Sequence, residues 1–231
     1  MKLSRTLLGA VAVVAMTSVS SLPAGALSHA AAVAEAKQAL IVRSDFPTGW
    51  TVSPSDNSNN DNTPGVAQLA ACLGVPKSVV NYNPPQAYSP DFNQNSTGLS
   101  VYDDVEVFPN VKILNQQFGL YTGAKSPGCL AAAFNTPSVK AQLAKSFGAG
   151  VKVGTVTSSV GARPDVKDEA AAIGVTIPYV YKGSKGSISV DMVFIVHALR
   201  GAELTFTSAS GLPFPAALAT HLELVTDQRL G

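Results

Sequence analysis

The chain has 231 residues, 16 Lys and Arg against 15 Asp and Glu, and 46% hydrophobic residues with only 13% charged. A nearly neutral chain without clustered Lys or Arg lacks the basic stripe that marks nucleic-acid binding, and no polybasic or strongly amphipathic segment is present to hold it on a membrane face. The length is sufficient for one substantial core, and neither an internal repeat nor a dividing linker is visible.

Lys2 and Arg5 open the chain, Leu7 to Met16 form an apolar run, and small residues follow at Ala24 to Ala26 and Ser28 to Ala30. That pattern is a secretory signal peptide; a membrane span needs about twenty apolar residues, and Thr17 and Ser18 interrupt this run too early. Residues 1–30 are therefore read as a leader cleaved after Ala26 or Ala30, and residues 31–231 as one secreted domain of the extracellular space or cell envelope. No Cys lies beside either cleavage site to carry a lipid. Losing Lys2 and Arg5 and no acid changes 16 against 15 into 14 against 15.

Two Cys remain, Cys72 in "LAACLGVP" and Cys129 in "SPGCLAAAF". In an oxidising compartment an isolated pair most simply forms a disulfide, which by loop closure is worth roughly 4 kcal/mol. A catalytic Cys needs a His and an electropositive pocket, and a metal site needs further ligands nearby.

In chain order, Ala30 to Val42 is Ala-rich and free of Pro and Gly, which predicts a first helix. Pro47 and Gly49 stop it, and "SDFPTGW" delivers Trp50, the chain's one Trp, to the start of a strand. Pro54 to Gly65 reads as a polar loop, Val66 to Leu73 as a short helix closed by Gly74, and Val75 to Gly98, rich in Pro, Asn and Ser, as a long loop. Leu99 to Phe108 alternates as a strand. Helical stretches follow from Asn110 and from Thr136, the latter ended by Gly148, with the Cys129 segment between them. Val151 to Val160 reads as a strand.

The last third reads as a meander of three strands and a helix. Pairing Ala171–Tyr181 with Ile188–Leu199 across "GSKG" sets Tyr181 opposite Ile188 and gathers Ile173, Val175, Ile177 and Tyr179 with Val190, Met192, Phe194 and Val196 on one face. A three-residue turn at Arg200 to Ala202 then places Phe206 opposite Val196, and His197 opposite Thr205. The other face carries Thr176, Ser189, Asp191, His197, Glu203, Thr205 and Thr207. Phe214, Leu218, Leu222 and Val225 form a helical stripe suited to the apolar face. Helices and antiparallel hairpins in this order predict an α+β fold, an antiparallel sheet with helices packed on it.

An Ala-rich helix leading to "SDFPTGW", a short helix with "CLG", a later "CL" segment, "ISVDMVFIVHALRGAELTFTS" and a closing helix after "PFP" resemble the actinobacterial secreted sensor-like domains. This group comprises PknH-type extracellular sensors and LpqN-like lipoproteins, and its fold is similar to the PsbP-like α/β/α sandwich. The resemblance covers most of residues 31–231 and implies an exported, non-enzymatic module that binds a ligand in a groove beside the sheet. The chain departs from that group in having one Cys pair rather than two, no lipoprotein Cys and no kinase.

Catalytic patterns are sparse. No G-x-S-x-G turn, P-loop or dinucleotide fingerprint occurs, and Ser184 and Ser187 are assigned to a turn. Asp56 to Asn62 lacks the Gly and Glu of a calcium loop, which the positions of Asp61 and Ala67 would have to supply. Asp103 and Asp104 point to opposite faces of a strand, so they do not form one acid–base pair. His221 is placed at a helix boundary without a role. The candidate ligand contacts are His197, Glu203, Thr205, Asp191 and Trp50, although Trp50 also suits a core anchor. The expected protein is a monomeric binding module without cofactor, metal or membrane span, recognising an envelope small molecule or a protein. A carrier of an apolar, lipid-like molecule and a secreted hydrolase are the alternatives.

Overall fold

The structure is a computed structural model that describes residues 27–54, 65–161, 166 and 169–231. The expected leader up to residue 26, nearly all of the expected Pro54 to Gly65 loop and its acids therefore lie outside the described residues. Helix α1 (His29–Ala39) is followed by a 3-10 turn (Arg43–Asp45), β1 (Thr51–Ser53), α2 (Val66–Leu73), α3 (Lys77–Val80), β2 (Gln86–Tyr88), β3 (Asp91–Gln94) and β4 (Leu99–Val107). Then come α4 (Val111–Thr122), α5 (Ser126–Phe134), α6 (Pro137–Phe147), β5 (Val151–Val153) and β6 (Thr157–Val160). The meander β7 (Glu169–Tyr181), β8 (Ser184–His197) and β9 (Arg200–Ser208) leads into α7 (Ala216–Leu230).

Among the described residues these elements form an α+β fold around one nine-stranded antiparallel sheet of order β1-β3-β4-β9-β8-β7-β5, with β2 beside β4 and β6 beside β7. Local signals explain several boundaries. Ser28 caps α1 by accepting from the Ala31 N–H at 3.2 Å, and Asn110 caps α4 by accepting from the Ile113 N–H at 3.0 Å. Gly74 ends α2 in the left-handed region, φ 73°. The Val75 to Gly98 segment is not a loop throughout: it contains α3, β2 and β3. Ser89 makes the break between the two strands, its hydroxyl accepting from the Asp103 N–H at 2.9 Å. Val151 to Val160 is two short strands rather than one.

The meander register differs from the expected one at both turns. The first turn is Lys182–Gly183, with φ 49° and 84°, so Tyr181 pairs with Ser184 and not Ile188. Two consecutive positive φ values match a two-residue I′ hairpin, and Ser184 and Ser187 belong to β8. The slip is even, so Ile173, Val175 and Ile177 still share a face with Val190, Met192 and Phe194. The second turn is Ala198–Leu199, so His197 pairs with Arg200 and Phe194 with Glu203. This slip is odd. It turns β9 over, sending Leu204 and Phe206 to the face of Val193 and Ile195 and Glu203, Thr205 and Thr207 to the face of Phe194 and Met192.

Consequently each face of the meander carries a core, and the second face stays open at its far end, where Thr176 and Val180 are exposed. On the first face Ile173, Val175, Ile177, Val190, Met192 and Phe194 form a core with α2, α5 and α6. On the second, Val101, Val105, Val193, Ile195, Leu204 and Phe206 form a core with α1 and α7. The stripe on α7 meets this second face and not the first, with Leu222 and Leu230 fully buried. The two cores are offset across the sheet. Opposite the α1 and α7 core, the first face of β4 and β9 carries polar residues: Tyr102, Asp104, Glu106, Glu203, Thr205 and Thr207.

Cys72 on α2 and Cys129 on α5 form a disulfide, with Cα atoms 5.4 Å apart. Asp45 of the "SDFPTGW" segment receives both Arg229 guanidinium nitrogens, at 2.7 and 2.8 Å, which ties the 3-10 turn to the end of α7. Arg200 similarly joins β9 to Glu35 of α1 at 2.6 Å. No helix among the described residues is long and apolar enough to cross a membrane.

Candidate functional site

A narrow, partly open cleft lies between α4 and the polar half of the first sheet face. Its floor follows from the register. Asp104 on β4 pairs directly with Glu203 on β9, which pairs with Phe194 on β8. Two positions along β4, Glu106 faces Gly201, which in turn faces Val196. Period-two alternation thus brings Asp104, Glu106 and Glu203 onto one surface. Gly201, having no side chain, keeps the floor low between Glu106 and Val196. A Cβ built there lies 3.1 Å from the Phe108 ring, which sits over it.

The wall comes from α4, where Leu114, Gln117, Phe118 and Tyr121 recur at helical spacing. The Tyr121 ring stacks on Phe194 with centroids 3.7 Å apart and planes 18° from parallel. At the other end Tyr82 lies nearly parallel to Phe108 at 6.3 Å. Gln117 Nε2 donates to the Val79 carbonyl at 3.0 Å, fixing α4 against the end of α3. The lining is therefore four aromatic rings and several aliphatic groups over three carboxyl groups, with no Lys, Arg or His among the described lining residues.

Burial, and then the nearby Asp104, push the Glu106 carboxyl well above its ordinary range. Burial again dominates at Glu203, reinforced by Asp104 and Glu106, while the Thr205 hydroxyl, donating to Glu203 Oε1 at 3.2 Å, works against the rise. The same acids, added to burial, raise the Tyr121 phenol, and burial with Glu106 raises that of Tyr82. Carboxyl groups crowded in a low-dielectric cleft resist ionising together. They can hold protons and donate hydrogen bonds, or ionise when an opposite charge arrives. No group of three or more His, Cys, Asp or Glu among the described residues is arranged to hold a metal ion.

The sequence-derived candidates divide between the two faces. Glu203 and Thr205 lie on the cleft side, Glu203 in the lining itself. His197 is opposite Arg200, and Asp191 opposite Phe206, both on the α1 and α7 side. They do not share a surface with Glu203, because the odd register slip separates them. Trp50 is 4% exposed and packs against Phe46 and Phe214 in the same second core. His221 is exposed, its Nε2 3.1 Å from the Asp45 carbonyl. Asp103 and Asp104 do point to opposite faces: Asp103 accepts from the Ile41 N–H at 3.1 Å, and Asp104 lines the cleft. Asp104, Glu106, Tyr121 and Phe194 were not among the expected contacts. The spacing of Asp104 and Glu106 was the available signal, since residues two apart in a strand share a face.

Compared with protein-family models and with curated proteins, the chain matches none.

Proposed function

We propose that this protein is an exported, non-enzymatic binding module of the sensor-like kind its motifs resemble, and that it takes a small envelope molecule in the cleft between α4 and strands β4, β8 and β9. The carrying observation is a pocket with aromatic and aliphatic walls and a few convergent polar groups, the usual composition of a small-molecule site. The leader pattern and the Cys72–Cys129 bond support an extracellular setting. Native mass spectrometry of the protein purified from its own host tests the reading. Retention of a small molecule that organic extraction removes is expected; a wholly empty preparation, together with no response to a metabolite extract from the same envelope, overturns it.

The carboxyl groups also bear on the two alternatives. A purely apolar cargo fits the walls but leaves three acids beneath it without new hydrogen bonds, which is costly. A hydrolase would use Glu106 or Glu203 as the proton donor, since raised carboxyl groups serve as general acids. Turnover of glycoside or ester substrates, abolished in Glu203→Gln, distinguishes that reading from binding alone.

A further inference from the structure

Resting on the reading of the cleft as a small-molecule site, we propose that its ligand is an organic cation, a protonated amine or quaternary ammonium carried on an apolar body. Two independent features of the cleft select this class. Its acidic floor presents Asp104, Glu106 and Glu203 without any Lys, Arg or His among the described lining residues, so its charge complement is positive. Its walls present Phe108 and Phe118 beside the stacked Tyr121–Phe194 pair, an aromatic surface that suits a cation carried on an apolar body. An anion would oppose ionisation of the three acids, and a neutral apolar molecule would bury them while offering neither a charge nor a hydrogen-bond partner.

The geometry also fixes where each part of the ligand goes. The cationic head lies over the Asp104–Glu203 cross-strand pair and Glu106, where the strands bring the carboxyl groups to one row of the floor. The apolar body extends beside Phe118 and Leu114, along the helix wall. Gly201 provides the depth, because any side chain there would meet Phe108.

Binding is therefore linked to protons. The titratable groups facing the head are Asp104 and Glu106 from β4, Glu203 from β9, Tyr121 from α4, and Tyr82 beyond α3. Burial and mutual repulsion hold Glu106 and Glu203 above the ordinary carboxyl range. A cation favours their ionised forms, so it drives protons off and binds more tightly as pH rises. A neutral ligand has no such effect.

The test uses benzyltrimethylammonium and its uncharged carbon isostere neopentylbenzene, titrated into the whole exported chain by calorimetry in two buffers of different ionisation enthalpy. The expected result is that the cation binds with net proton release, that the isostere binds at least about tenfold more weakly, and that Glu106→Gln and Glu203→Gln each weaken the cation about tenfold, the loss of one opposite charge near the head. Both substitutions are isosteric and relieve acid crowding, and amide spectra of the free variants confirm that they fold. Equal or tighter binding of the neutral isostere, or cation binding unchanged in both variants, overturns the cationic class and leaves the small-molecule reading standing. Failure of both probes to bind, in a protein that also carries nothing from its host, overturns the two together.

Discussion

Glu223 gives a sharp test of how α7 sits on the sheet. Its side chain is on the buried face of that helix, with 8% of the residue exposed, and it faces Asp191 on β8. Burial first, and the Asp191 charge second, raise its carboxyl from 4.5 to about 7. The folded state therefore holds a proton that the unfolded chain releases at about pH 4.5. Between these values the native state binds more protons than the unfolded state, so stability falls as pH rises through the window and levels off above it. The full shift corresponds to a ceiling of about 3 kcal/mol, and screening by water near the partly exposed Asp191 brings the expected loss to about 1–2 kcal/mol. Glu223→Gln keeps the shape and removes the titration. Urea unfolding at pH 4.5, 6 and 7.5 should show the variant equal to the parent at the lowest pH and more stable by that amount at the highest. Subtracting the two curves removes the contributions of Glu106 and Glu203, which titrate in the same sense. A difference that does not change with pH, or a variant less stable at pH 7.5, refutes the placement of Glu223 beside Asp191.

Other parts of the fold make comparable predictions. Reducing the Cys72–Cys129 bond, which closes a separation of 57 residues, should lower stability by about 4 kcal/mol, read as a shift in urea midpoint with and without reductant. Asp45→Ala leaves the Arg229 guanidinium without its bidentate partner and should cost about 2 kcal/mol; coupling to Arg229→Ala in a double-mutant cycle checks that the pair is responsible. Ala198 holds φ 51° in the second hairpin turn, so Ala198→Gly should raise the melting midpoint, the gain being at most about 1 kcal/mol once the freer unfolded chain is counted.

Where the fold was legible in the sequence, a local signal and the tertiary demand coincided. Gly74 closes α2, Asn110 opens α4, and the alternation of Leu99 to Val107 survives as β4 because both faces of that strand need it. The apolar set on β7 and β8 was also legible, because an even slip leaves face membership unchanged. The turns were not. Lys182–Gly183 and Ala198–Leu199 lack the Asn-Gly signature of two-residue hairpins, whereas "GSKG" and "RGA" imitate longer turns. Between Val75 and Gly98, Pro and Asn concealed short strands that are held by pairing with β4 more than by their own propensity.

The cleft depended on the part that local signals could not fix. Glu203 was visible as a polar residue in a strand, but an odd register difference moves it from the face of His197 to that of Phe194, and the pairing of β9 with β4 sets it beside Asp104. Tyr121 and Phe118 lie in the helical stretch that follows Asn110, and nothing local marks them until α4 is laid along the sheet. "SDFPTGW" answers differently: its Asp45 holds Arg229 and its Trp50 fills the second core, so its conspicuous residues are scaffold.

The proposed ligand enters between α4 and the acidic half of the sheet. Amide chemical shifts recorded while benzyltrimethylammonium is titrated into the isotope-labelled protein test this placement most directly. The changes are expected to concentrate at residues 104–108, 114–121, 194–196 and 201–203, with α1 and α7 unchanged. Saturable shifts centred on Trp50, His197 or α7, with the cleft residues silent, would contradict it.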